Sequence, residues 1–231
     1  MAAQIHLPLK LYHYPLSQPS RSVLLLLKAA HIEHDAIVVN LLEGEHKNQE
    51  YLDINPNGLV PTIVDGDFML PESGAILVHI AESRHLTKFY PTDLVARAKI
   101  NYWLHWNHNG ARYSTLKILR PTEMGKVVTA EDRRHFEDAV AIIENQLMVN
   151  HQQHKGKFII GTDTPTIADL LLIPELDQLT PEAFDLFDYS PYPYVTEYLY
   201  NVRASVDGYE EVFAPVVALA NAMRKLKNSK K

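Results

Sequence analysis

The stretch LPESGAI places Glu72 and Ser73 at the mouth of an apolar helical segment. A helix start presents free backbone N–H groups and the positive end of its dipole, which attract a carboxylate, while a glutamate beside them attracts an ammonium. Together the two residues suit the head group of an α-amino acid, although an ordinary N-cap serine and a first-turn acid are the common use of each alone. Upstream, Val60-Pro61 interrupts the apolar run LVPTIV. The X-Pro bond is the one that turns cis cheaply, for about 0.5–1 kcal/mol, and a cis bond would aim the N–H and C=O of Val60 at a bound peptide. A trans proline on an edge strand is the alternative.

The chain contains no cysteine, so it has no disulfide, no thiolate metal site and no thiol nucleophile of its own. Any sulfur chemistry must come from a ligand. Among twelve histidines, the pairs His105/His108 and His151/His154 have helical spacing. No acidic residue has motif spacing with them, and Trp103 and Trp106 make the first segment an aromatic helix face, so no metal site is expected. A G-x-S-x-G elbow is also absent, which removes the usual signature of a serine hydrolase.

A net charge of −6 argues against a nucleic-acid partner held through phosphates. The basic tail RKLKNSKK is a local exception and reads as a solvated end. The longest apolar run, VLLLLKAA from Val23, falls far short of the ~20 residues that span a bilayer. With no leader pattern at the start, a cytoplasmic location without membrane contact is expected.

These candidate residues need elements to hold them. LKLYHY alternates as a strand, and PSRSVLLLLKAAH follows as a helix with Pro19 in its first turn. HDAIVVNL is a second strand, and the short polar HKNQEYLD ends at INPNG. LVPTIV and DFML flank Asp65-Gly66 as a hairpin, and ESGAILVHIAESR closes the unit as a helix. The order βαβαββα occupies residues 1–85, a linker carrying Pro91 covers 86–92, and residues 93–231 read as helical throughout. There, Phe136, Val140, Ile143 and Leu147 form an apolar stripe, and Thr166 with Asp169 forms a capping box. Pro174 should kink or end the helix that this box opens.

YPLSQPSRSVLL, LLEGEHKNQEYLDINPNGLVPTIVDGDFML and PESGAI resemble the N-terminal domain of soluble glutathione transferases, most strongly the serine-using theta and delta classes. TIAD and the all-α pattern extend the likeness into the second half. The resemblance implies a thioredoxin-like α/β domain followed by an all-α domain, with glutathione as co-substrate and no other cofactor. It also implies a homodimer, the first domain of one chain facing the helical domain of the other, and a small hydrophobic electrophile as second substrate, with peroxidase activity a further option. A non-catalytic glutathione-binding or scaffold protein of the same fold is the alternative.

Position by position, the resemblance makes Ser17 the residue that activates the thiol and places His46 and Lys47 against the glycine carboxylate. Val60 becomes the backbone clamp before a cis Pro61, and Glu72 and Ser73 bind the γ-glutamyl end. Arg112 falls where an arginine over the site is often found. Tyr12, Tyr14 and Ser20 are rivals to Ser17. Pro71 and Pro174 depart from the usual pattern without removing a ligand group. Residues 101–119 and the segment from Tyr209 are candidates for the electrophile pocket. A glutathione thiol has a reference pKa of about 8.5 and attacks only as thiolate, so a hydroxyl donor contributing roughly 1.5–3 kcal/mol would lower it by one to two units.

Overall fold

The computed structural model describes residues 9–154 and 156–229. The last two lysines of the basic tail lie outside them. Alternation of Leu9 and Leu11 with Lys10 and Tyr12 builds β1 (Leu9–His13), with both leucines buried. It lies between β2 (His34–Val38), with which it runs parallel, and β3 (Thr62–Asp65), which is antiparallel. β4 (Phe68–Pro71) extends the sheet, giving the order β2-β1-β3-β4. Asp65 pairs with Phe68, so the hairpin turns on Gly66-Asp67, one residue later than the sequence pattern suggests, with Gly66 at φ +65°.

Between the strands run α1 (Gln18–Ala29) and, after a 3-10 turn at Glu45–Lys47, the short α2 (Gln49–Leu52). α3 (Ser73–Ser83) completes the βαβαββα order of a thioredoxin-like domain. Among the described residues helices alone follow: α4 (Leu94–Asn107), α5 (Tyr113–Glu123), α6 (Ala130–His154), α7 (Ile167–Asp177), α8 (Pro193–Ser205) and α9 (Tyr209–Asn228). α4 and α5 are one helix interrupted by a π-helical turn at His108–Arg112, where Gly110 leaves room for the Trp106 ring. Phe136, Val140, Ile143 and Leu147 are buried on α6 as their spacing requires.

α1 is buried on several sides, because it packs on the sheet and α3 and also on α7 and α9 of the helical domain. α7 begins as a capping box: the Asp169 carboxylate accepts from the N–H and hydroxyl of Thr166 and, with its other oxygen, from the N–H of Ile159. Pro174 does not end α7, which continues to Asp177. The Arg21 guanidinium donates to the Pro174 carbonyl, and apolar packing holds the remaining turn.

Candidate active site

Ser17 is the N-cap of α1, its oxygen accepting a long 3.4 Å bond from the N–H of Ser20. Among the described residues the Ser17 hydroxyl proton has no acceptor, so the side chain caps the helix and still has a donor to offer. Its own N–H closes a turn on the Tyr14 carbonyl at 2.9 Å. Two rivals are otherwise engaged. Ser20 is fully buried and accepts from the N–H of Tyr14, and the ring of Tyr12 packs on Tyr51.

The Val60-Pro61 bond is cis. Just before it, the Leu59 carbonyl accepts from Tyr51 Oη at 2.6 Å and Asn55 Nδ2 at 2.8 Å, and both donors also contact Thr62 Oγ1. Asn55 and Thr62 are buried, so this network fixes the backbone on both sides of Val60. The N–H and C=O of Val60 itself have no backbone or side-chain partner among the described residues. They form a free backbone pair of the kind that joins an extended peptide.

Glu72 sits at the entrance of α3 with φ 74° and ψ 110°, a conformation that a residue with a Cβ rarely adopts. Such outliers concentrate at binding sites. Its side chain is exposed while Ser73 is buried beside the free N–H groups of the first turn. On the other side of the cis proline, Gly58 at φ +60° leaves space in which a Cβ would stand 2.7 Å from the His46 carbonyl and 3.2 Å from Lys47 Nζ. That close approach carries the His46 and Lys47 turn up against the loop leading to Val60. His46 Nδ1 is buried with no partner among the described residues. Arg112 takes a different position: its Nη1 bonds Glu175 Oε1 at 2.9 Å and Gln18 Oε1 at 3.3 Å, tying it to α7 and to the residue after Ser17.

The description "Glutathione S-transferase, N-terminal domain" matches residues 7–82. Glutathione S-transferase T1 of Arabidopsis thaliana is 35% identical over 74% of this chain and 72% of its own length. The chain belongs to the glutathione S-transferase family. Human glutathione S-transferase theta-2 is 31% identical over 79% of the chain and 76% of its own length. The chain spans only 36% of Arabidopsis glutathione S-transferase T3, at 34% identity. A delta-class glutathione transferase of Nilaparvata lugens superposes with a TM-score of 0.83 at 28% identity, covering 95% of this chain and 99% of that one. Human glutathione transferase theta-2, solved with glutathione, superposes at 0.80 with 27% identity, over 94% and 90%. Transferase activity with glutathione is the function that this membership carries.

The transferase holds a buried polar cluster between its domains that sequence reading did not point to. Arg21, Gln18, Gln178, Glu175 and Asp177 lie within it. Burial lowers Arg21 to about 10, raises Glu175, and raises Asp177 to about 6 despite the attraction of Arg203. Charged residues within apolar runs, as in LLLIPELDQL, were the available signal.

An apolar cleft of about 360 Å3 opens among Leu119 on α5, Phe184 and Leu186 in the turn after α7, and Leu219, Met223 and Leu226 on α9. Lys28 near the end of α1 pairs with Glu211 near the start of α9, and Arg21, Leu25, Val212 and Phe213 line one small gap between the two helices. No glutathione-binding candidate lines the cleft. It draws Leu119 and the α9 residues from the segments singled out by sequence, and adds the turn at 183–186.

Proposed function

We propose that this transferase activates glutathione through Ser17 and directs the thiolate at small apolar electrophiles. The observation that carries the reading is the unspent Ser17 proton at the start of α1, where the helix dipole also favours an anion. The Ser17 hydroxyl donates to the sulfur. The free backbone pair of Val60 holds the cysteinyl unit, Glu72 and Ser73 take the ammonium and carboxylate of the γ-glutamyl end, and His46 with Lys47 takes the glycine carboxylate. Glutathione loses its thiol proton to solvent, and the sulfur bonds to the electrophilic carbon as the leaving group departs with its electron pair.

The apolar walls of the α5–α9 cleft support a hydrophobic second substrate, and Arg112 stands by as a cation once released from Glu175. Exposed Phe68 and Met69 on β4, with Leu94, Val95 and Tyr102 on α4, support pairing of each domain with a second copy. Turnover measured with aryl halides, alkyl halides, isothiocyanates and organic hydroperoxides tests the activity, and thiolate absorbance of bound glutathione against pH tests the activation. Tight binding without a lowered thiol pKa, and without turnover of any of the four, would leave a glutathione binder of this fold. A monomeric mass in light scattering would remove the dimer.

A further inference from the structure

Ser17 is held from both sides by the other domain. Arg21, only 2% exposed, donates from Nη1 to the Leu16 carbonyl at 2.9 Å and from Nη2 to the Pro174 carbonyl at 3.1 Å and Gln178 Oε1 at 3.3 Å. Gln18 Nε2 donates to the same Gln178 oxygen at 2.9 Å. The residue before Ser17 and the residue after it are thus fastened to the end of α7, while the N–H of Ser17 is fixed on Tyr14. What remains free at Ser17 is rotation about its own side chain.

These bonds do not make the cluster a good source of stability. All three acceptors of Arg21 are neutral, and its Nε has no partner among the described residues. Glu175 and Asp177 attract it through space, and Arg112 repels it. The cost of desolvating a buried guanidinium offsets much of what its hydrogen bonds contribute, and the neighbouring α1 residues Val23, Leu25 and Leu26 pack apolar surface instead. The geometry that Arg21 imposes on the Ser17 turn accounts for a charge in this place.

We propose that Arg21 is a positioning residue for thiol activation: by tying the Leu16 carbonyl to α7 it fixes where the Ser17 hydroxyl points. The proposal rests on the assignment of Ser17 as the thiol's donor. The site is then assembled across the domain boundary, although glutathione's own contacts all come from the first domain.

A double-mutant cycle tests it, read by the thiolate absorbance of bound glutathione against pH, with glutathione affinity measured by calorimetry. Ser17→Ala should raise the thiol pKa by about one to two units. Arg21→Met should raise it by at least about half a unit, lowering turnover near pH 6.5 by about threefold or more, with glutathione affinity changed by less than about threefold. In the double variant the shift should be no larger than for Ser17→Ala alone, because aiming a hydroxyl matters only while it is present. Full additivity, or an Arg21→Met protein titrating like the wild type while Ser17→Ala shifts, would overturn the positioning role and leave Ser17 in place. An unshifted Ser17→Ala would overturn both assignments. Should Arg21→Met fail to fold, Gln178→Met removes the oxygen shared by Arg21 and Gln18 and keeps the Leu16 bond. It should shift the pKa in the same direction by a smaller amount and add nothing to Ser17→Ala, and no shift there would equally sink the proposal.

Discussion

Replacing Glu72 by glycine should make the protein more stable and worse at holding glutathione. At φ 74° and ψ 110° the Cβ of Glu72 crowds its own backbone, and conformations of this kind cost about 1–3 kcal/mol each. Glycine removes that crowding but has a larger unfolded ensemble, which returns about 0.5–1 kcal/mol. The net expectation is a gain of about 0.5–2 kcal/mol, with the melting temperature rising by about 2–4 °C per kcal/mol in a chain of this size. Binding should move the other way. A carboxylate lost from a charge-assisted hydrogen bond to an ammonium costs about 1.5–3 kcal/mol, or roughly ten- to a hundredfold and more in Kd. Glu72→Gln separates the two effects, since it removes the charge and keeps the strained backbone: affinity should fall with the melting temperature unchanged. Melting without glutathione and calorimetric titration with it are the measurements. A Glu72→Gly protein that melts lower than the wild type would show that the backbone here is not strained. Affinity retained within about twofold would show that the carboxylate does not meet the ammonium.

Gly110→Ala places a Cβ 2.4 Å from the Trp106 ring, so despite alanine's helix preference of about 1 kcal/mol the variant should lose about 1–3 kcal/mol in urea unfolding, and an unmoved midpoint would refute the packing argument. Burial holds Asp177 at about 6 in the folded protein against an ordinary value of 3.8. The folded state therefore binds this proton more tightly, and stability falls as pH rises from about 4 to about 6. Against an Asp177→Asn reference, the wild type should lose about 2–3 kcal/mol across that window by urea titration, and parallel curves would contradict the assignment. Met223→Glu puts a charge into the apolar cleft and should lower kcat/KM for a hydrophobic electrophile by about tenfold while glutathione affinity stays as it was, and unchanged kcat/KM would move the electrophile elsewhere.

The first domain was legible because its signals are local. Alternating leucines in LKLYH and a Glu-Ser pair at a helix start announce their elements within a few residues, whereas the residues around Pro61 left a trans bond open and only the family resemblance implied the cis form. Thr166 and Asp169 could be paired on the same ground. Three features were not local. The hairpin turns on Gly66-Asp67 and not one residue earlier because register is set by pairing with β3, which spacing alone does not reveal. α7 passes through Pro174 because packing on α1 outweighs the missing bond, whereas a proline in isolation predicts a break. The Arg21–Gln178–Gln18 cluster joins residues separated by more than half the chain, and no spacing rule connects them. For Arg112, only the family resemblance implied a place over the site, and the structure shows it held by Glu175 and Gln18.

The burial of α1 between sheet and bundle bears on how such a chain can be recombined. Arg21 and Ser22 bond to backbone carbonyls of α7, and α1 also packs on α9, where Lys28 pairs with Glu211. Cut away from the helices, the first domain would present to water a stripe of leucines and a guanidinium left with the Leu16 carbonyl as its acceptor. It is not a portable module. A hybrid that joins this first domain to a foreign helical domain inherits a working site only if the newcomer offers an acceptor where the Pro174 carbonyl and Gln178 stand. The last turns of α9 carry no such obligation, so they can change by ordinary drift while the inner faces of α7 and α1 change together or not at all.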